Sequence, residues 1–381
     1  MELPTYFADF LAEIRPTKNQ RNELKTGHTT LRNRLLEDDE LAKIIVSTFL
    51  QGSYRRATAI RPHEGKRSDV DIVVVTKLRE EDYTPQAAMD LFVPFLDRHY
   101  KGKWEFQGRS IGISLSYVDL DLVITSAPSE VEEKMLKSAS VTSTDTPEDV
   151  TDWRLVPSYV SFAERSLPGA TARLLQARTE AEWQLTPLRI PDRDAEEWDD
   201  THPLEQIRWT WAKNAACSGH HVNVVKALKW SRRVNYSTPK YPKGYPVEHL
   251  IGLCTSDGIT SVAEGVTRAL ETIRERYRSD AEAEQAPVLP DHGVPAHNVF
   301  HRVSGEEFAE FHAQICEAAD VARRALDATT VRESADQWRK LFGDKFPEAP
   351  PEKDEDGNNS SKSYGYTPRE ERTIIGGGRY A

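Results

Sequence analysis

Residues 51–75 read QGSYRRATAIRPHEGKRSDVDIVVV: a Gly-Ser pair, a basic stretch, then two acids one residue apart at the mouth of an apolar run. The run 69–76, DVDIVVVT, is β-branched and bounded by charge, which predicts a strand with one wall buried throughout. Residues two apart on a strand face the same side at roughly 7 Å. Asp69 and Asp71 therefore point together, an unfavourable pairing unless positive charge lies between them. Hard divalent cations with oxygen ligands are the usual solution. The run SYVDLDLVI carries Asp119 and Asp121 in the same alternation, so a neighbouring strand can bring a third carboxylate to the same point. Alternation alone leaves open which of the two it is. Three acids on adjacent strands suit two Mg²⁺ ions in a nucleotide-transfer site. Gly52 would let the backbone approach a phosphate, with Ser53 adding a hydroxyl and a following helix its free N–H groups. Each element alone has a bland reading, a D-x-D as a solvated strand end and a Gly-Ser as an ordinary turn. Their order and spacing argue for the set.

Outward from this stretch, residues 5–14 and 18–37 read as helices, and the apolar AKIIVSTFL that follows as a turn leading to Gly52. Residues 85–99 read as a helix, and 103–108 and 111–125 as two strands joined at a tight bend. Residues 130–200 are mixed and acidic. A helical stretch begins near His202 and is broken at Ser218-Gly219, 285–298 is proline-punctuated and extended, and 306–328 returns to helical periodicity. From Pro347 the chain is rich in Pro, Gly, Ser and charge, which predicts a mobile tail over 347–381. The fold class expected is α+β and bilobal. N-terminal helices over 1–50 pack on a core at 51–128, and a helical second lobe spans 129–346.

The chain has 381 residues, 38% hydrophobic and 29% charged, with a net charge of −11. That balance suits a soluble globular protein and argues against stable binding of duplex nucleic acid, which favours a broadly basic surface. Two cationic spots stand out, one at Arg55, Arg56, Arg61, Lys66 and Arg67 and one at Lys226, Lys229, Arg232 and Arg233. They suggest a small anionic ligand. No apolar run approaches the roughly 18 residues of a membrane helix, and the N-terminus lacks a secretory pattern, so a cytoplasmic location is expected. Cys217, Cys254 and Cys316 are too scattered for a disulfide framework or zinc knuckle and are read as reduced.

The segments FLQGSYRRATAIRP and SDVDIVVVT, with VDLDLVI as the third-acid strand, resemble the bacterial cGAS/DncV-like nucleotidyltransferases, the CD-NTase family of anti-phage (CBASS) signalling enzymes. NVVKALKWSRRVN resembles the family's second-lobe helix, and VLPDHGVPAHNVFHRVS with WRKLFGDKFP its C-terminal helical part. The resemblance implies a polymerase-β-like core with a helical lobe that joins nucleoside triphosphates, at least one a purine, into a cyclic di- or trinucleotide read by a separate effector. It implies two Mg²⁺ ions, replaceable by Mn²⁺, on Asp69, Asp71 and Asp121. Asp121 is favoured over Asp119 because the family's third acid precedes a short apolar pair, supplied by Leu122 and Val123. Gln51, Gly52 and Ser53 match the phosphate-binding turn. Lys229 matches the basic residue that reaches the triphosphate, with Lys226 one turn earlier as its companion. The tail ends TIIGGGRYA, and some members with such ends resemble substrates of an E1/E2-like partner, which implies conjugation through the carboxylate of Ala381. The competing readings are transfer of single nucleotides to a protein or RNA end and a catalytically inactive nucleotide-binding module. Elsewhere, His297 and His301 sit four apart in an extended context unsuited to chelation, His220-His221 reads as a helix start or surface feature, and Trp198, Trp209, Trp211 and Trp230 read as core. Arg56 and Thr58 read either as site residues or as braces of the turn.

Overall fold

The computed structural model describes residues 1–63, 65–127, 187–236 and 241–350. The chain divides into two units, 1–348 and 349–381. The span 128–186 and everything beyond residue 350, including Ala381, lie outside the described residues.

The first unit begins with helices α1 (Pro4–Ile14), α2 (Lys18–Glu37) and α3 (Leu41–Ile44), then strand β1 (Ile45–Gln51), the single turn α4 (Gly52–Arg55) and strand β2 (Ser68–Thr76). Helices α5 (Pro85–Asp90) and α6 (Val93–Tyr100) lead to β3 (Trp104–Phe106), β4 (Ile111–Ser114) and β5 (Val118–Ser126). After the undescribed span come β6 (Leu188–Asp192) and β7 (Glu197–Thr201). These strands form one sheet in the order β1-β2-β5-β4-β3, with β6 joined to β5 and β7 to β6. The central pair β2 and β5 is parallel, with Asp69 opposite Asp119 and Asp71 opposite Asp121. Antiparallel pairing places Gln51 of β1 opposite Asp71.

Alternation gives the sheet two faces. On one, Val70, Ile72 and Val74 of β2 and Leu120, Leu122 and Ile124 of β5 are fully buried with Leu24, Leu31 and Leu35 of α2 and Phe92 and Phe95. Helix α2 is set by a Thr17/Gln20 capping box. On the other face, Val73, Val75 and Val123 are buried with Leu188, Ile190 and Leu204. All four aspartates share the parity of this second face and sit where β2 and β5 both begin. Each fully buried aliphatic side chain contributes about 1.5–3 kcal/mol, so both strands are fixed in register by their apolar ends while their acidic ends stay at the rim.

The helical part comprises α7 (Pro203–Ala216), α8 (His221–Asn235), α9 (Tyr245–Cys254), α10 (Val262–Arg276), α11 (Arg278–Glu282), α12 (Gly305–Asp327) and α13 (Val331–Phe342). Leu250, Ile273, Leu289, Phe300, Phe308 and Phe311 form its core.

Four expectations need correction. The supposed apolar turn before Gly52 is strand β1, whose residues are buried on both faces and so lack the alternation that marks a strand. The single strand expected over 111–125 is two, β4 and β5, because the chain reverses at 115–117 and Ile111 pairs with Leu122. The helical second lobe expected over 129–346 has its expected start outside the described residues, and 188–201 within it are no helix but a hairpin that extends the sheet. Of the N-terminal helices expected to pack on the core, α2 does so. Helix α1 instead lays Phe7 and Phe10 on the C-terminal helices, with Phe7 edge-on to Trp338 at 5.0 Å and Phe10 stacked on Phe342 at 4.6 Å.

Candidate active site

Strand β1 ends at Gln51, and the chain turns at once through Gly52, whose φ is +72°. A Cβ at this position would stand 1.7 Å from Asp71 Oδ2, so only glycine lets the turn lie against that carboxylate. The Ser53 carbonyl then accepts from the N–H groups of Thr58 and Ala59 at 2.9 and 3.1 Å, which closes the loop after the Gly-Ser pair. The turn, Asp71 and its strand partner Asp121 are thereby brought to one rim.

Contacts separate the two β5 acids that alternation left equivalent. Asp119 is engaged by Arg67, whose Nη2 and Nε donate to Oδ1 at 2.8 and 3.0 Å on the surface. Asp121 accepts a long hydrogen bond from Gln107 Nε2 at 3.4 Å, and Gln107 is itself held by the Ser110 hydroxyl at 2.7 Å.

Electrostatics at the rim are unfavourable without a cation. Burial, together with the charges of Asp69 and Asp121, pushes the Asp71 carboxyl up to about 7, while Arg56 pulls the other way. Burial and Asp69 raise Asp121 to about 6, opposed by the Gln107 hydrogen bond. Among the described residues no three His, Cys, Asp or Glu side chains already enclose a point at ligand distance. The donor set nevertheless fits a hard divalent ion: it is all carboxylate, clustered on adjacent strands, and destabilised by its own like charge, which such an ion would relieve.

Lys229 on α8 donates to Glu248 Oε1 at 2.8 Å and to the Thr58 carbonyl at 3.1 Å, and keeps 17% side-chain exposure. Lys226, one turn earlier, is wholly buried. Burial, Arg15 and Lys229 hold its ammonium well below the ordinary lysine range. Lys229 is thus the one of the pair with solvent access. Glu248 also accepts from the Thr58 hydroxyl at 2.7 Å and from Arg56 Nε at 3.2 Å. Burial alone would raise its carboxyl, yet the Lys229 and Arg56 cations hold it down at about 2. Arg56 and Thr58 therefore brace the turn. Glu248 and Gln107 carried no signal in the sequence: each is an ordinary polar residue whose partners lie far along the chain or across a strand.

A cavity of about 440 Å³ lies between the β6–β7 hairpin, the chain entering α9 and the extended 290–303 segment, and Arg109, Lys243, Tyr245, Asp291 and Arg302 are among its walls. Tyr245 connects it to the rim, since Arg56 stacks over its ring at 5.0 Å. His297 pairs with Asp199 at 3.0 Å and does not chelate with His301. His221 starts α8 and is buried. Trp209 is stacked on His292 at 3.8 Å, which leaves it in the packing. The three cysteines are free thiols.

Residues 1–134 match the model of the Second Messenger Oligonucleotide or Dinucleotide Synthetase domain. The chain is 49% identical over 353 residues to a cyclic AMP-AMP-GMP synthase of Enterobacter hormaechei, covering 91% of this chain and 92% of that one. It is 29% identical over 345 residues to a cyclic AMP-AMP-AMP synthase of Acinetobacter, covering 90% and 84% respectively. Among solved structures, the Vibrio cholerae cyclic AMP-GMP synthase holding a linear intermediate superposes with a TM-score of 0.62 at 13% identity, over 91% of this chain and 96% of that one. At that identity the likeness concerns the fold. No described helix is long and apolar enough to cross a membrane.

Proposed function

The chain belongs to the bacterial CD-NTase family of cyclic oligonucleotide synthases, and from that premise we propose that it joins ATP and GTP into cyclic AMP-AMP-GMP. The class of reaction, synthesis of a cyclic oligonucleotide from nucleoside triphosphates, follows from family membership. The specific product rests on the two relatives of about half identity that bear that name. The observation that carries the site assignment is the meeting of Asp71, its register partner Asp121 and the Gly52 turn at one rim.

In this reading Asp69, Asp71 and Asp121 hold two Mg²⁺ ions, with Asp119 kept aside by Arg67. The ions, when bound, lower the pKa of the attacking ribose hydroxyl and neutralise charge on the leaving pyrophosphate. Gln51, Gly52 and Ser53 receive the triphosphate through backbone N–H groups and the Ser53 hydroxyl. Lys229 presents its ammonium to the phosphates, backed by the buried Lys226. The cavity beside Tyr245 is large enough for a nucleobase, and its mixed polar wall supplies donors and acceptors for one. After the first transfer the linear intermediate must turn and present its other end to the same acids, so one set of residues serves each bond in succession. The product acts in anti-phage defence through a separate effector. Conjugation of Ala381 by an E1/E2-like partner is proposed on the resemblance of the tail and is tested by co-expression, with adducts expected to vanish when the last residues are deleted.

The test is incubation of the purified protein with the four labelled triphosphates and Mg²⁺, followed by phosphatase digestion and mass spectrometry. A phosphatase-resistant product containing two adenylates and one guanylate is expected. A different cyclic product would overturn the base assignment, and label appearing only on protein or RNA would favour single-nucleotide transfer.

A further inference from the structure

Glu248 lies on α9, far in sequence from the catalytic strands, yet its carboxylate is 5% exposed and receives three donors from two parts of the molecule. Oε2 takes the Thr58 hydroxyl at 2.7 Å and Arg56 Nε at 3.2 Å, and Oε1 takes Lys229 Nζ at 2.8 Å. Arg56 and Thr58 are in turn tied to the turn itself, since their N–H groups donate to the carbonyls of Gly52 at 3.1 Å and Ser53 at 2.9 Å. A continuous path of short contacts therefore runs from helix α9 through one carboxylate to the backbone of the Gly-Ser pair.

The same carboxylate sets the direction of Lys229. An ammonium has three N–H donors, and two are occupied by Glu248 and the Thr58 carbonyl behind it. The side chain nevertheless stays partly exposed. A lysine held from behind by two fixed acceptors gives up its rotamer freedom before a ligand arrives, which lowers the entropic cost of each contact it then makes. The Arg56 guanidinium is likewise held between Glu248 and the Tyr245 ring.

We infer that Glu248 is the positioning residue of the triphosphate end of the site: it fixes the Gly52-Ser53 turn through Arg56 and Thr58 and aims the Lys229 ammonium. This rests on reading the rim as a nucleotide site. Glu248 touches no reacting atom and acts through Lys229 and the turn.

A tie that serves only to hold α9 against the turn would change stability and leave affinity alone, so binding is the informative measurement. Calorimetric Kd values for a non-hydrolysable ATP analogue with Mg²⁺ are measured for the wild type, Glu248→Gln, Lys229→Gln and the double variant. Each single change is expected to weaken binding about tenfold, the size of one charge-assisted hydrogen bond. The double variant should fall well short of the hundredfold product of the two losses, because part of the action of Glu248 passes through Lys229. Glu248→Asp, which keeps the charge, should recover at least half of the loss on a logarithmic scale. A Kd for Glu248→Gln within twofold of wild type, or losses that multiply to about a hundredfold in the double variant, would overturn the inference. Should Glu248→Gln not fold, Thr58→Val removes one donor to the same carboxylate and keeps both cations paired. Binding at least threefold weaker is then expected, and unchanged binding overturns the assignment. Asp69→Asn with Asp71→Asn, measured alongside, distinguishes the underlying reading: if that pair leaves binding intact, the rim is not the nucleotide site and both conclusions fall.

Discussion

Replacing Gly52 with alanine puts a methyl carbon where Asp71 Oδ2 now lies, 1.7 Å away. Ordinary contact begins at 3.4 Å, so the carboxylate must retreat by roughly 1.7 Å, by leaving its rotamer at about 0.5–1.5 kcal/mol. The φ of +72° adds about 1–2 kcal/mol for any residue bearing a Cβ. The folded state should therefore lose about 1.5–3.5 kcal/mol, a fall in Tm of roughly 2–5 °C for a unit of this size. The effect on synthesis should be larger, since a reacting group misplaced by about 1 Å costs on the order of a hundredfold in rate. Gly65→Ala is the control. Gly65 has φ +76° but nothing within 4 Å of its Cβ position, so it isolates the backbone strain. Differential scanning calorimetry and cyclisation rates for both variants separate the two contributions. Gly65→Ala should lose about 1–2 kcal/mol and keep its rate, while Gly52→Ala loses both. If Gly52→Ala retained a rate within threefold of wild type, the close approach of the turn to Asp71 would have no part in catalysis.

Asp121→Ala should abolish synthesis to below about one per cent, whereas Asp119→Ala removes only a surface pair with Arg67, worth under about 1 kcal/mol, and should keep most of the activity. Product assays on the two variants check this, and the reverse order would reassign the third acid. Around Trp209, burial holds His221 at about 3, His249 at about 4 and His292 at about 3. Their folded values lie below the unfolded value, so their contribution is intact above about pH 6.5 and is lost as pH falls toward the folded values, at up to roughly 4 kcal/mol per pH unit for the three. Asp71 and Asp121, raised when metal-free, act in the opposite sense, with stability lost as pH rises through about 6 and 7. Denaturant melts at pH 7 and 5.5 should therefore differ more with saturating Mg²⁺ than with EDTA, and equal shifts would refute the opposed titrations. In EDTA, Asp71→Asn should melt at or above the wild-type temperature because one of several like charges is gone, yet gain nothing when Mg²⁺ is added. A normal Mg²⁺-dependent rise in that variant would remove Asp71 from the metal site.

The sequence by itself determined the parts whose physics is local. A β-branched run behind D-x-D buries its apolar end and leaves its acids at the rim, so β2 and the placement of its acids were legible from residues 69–76. Helix limits were nearly so, as for α12, where Ser304 and Glu307 form a capping box. Tertiary structure decided the rest because the deciding contacts are not periodic. β1 was hidden because both of its faces are buried, which erases the alternation that would mark it. Asp119 and Asp121 have equal parity on one strand, and only the arrival of Arg67 from another segment makes them different. Lys226 and Lys229 lie on one helix face, but packing around α8 buries the first completely and leaves the second partly open. Glu248 and Thr58 meet across 190 residues of chain, and a hydrogen bond of that span leaves no trace in the spacing of either partner.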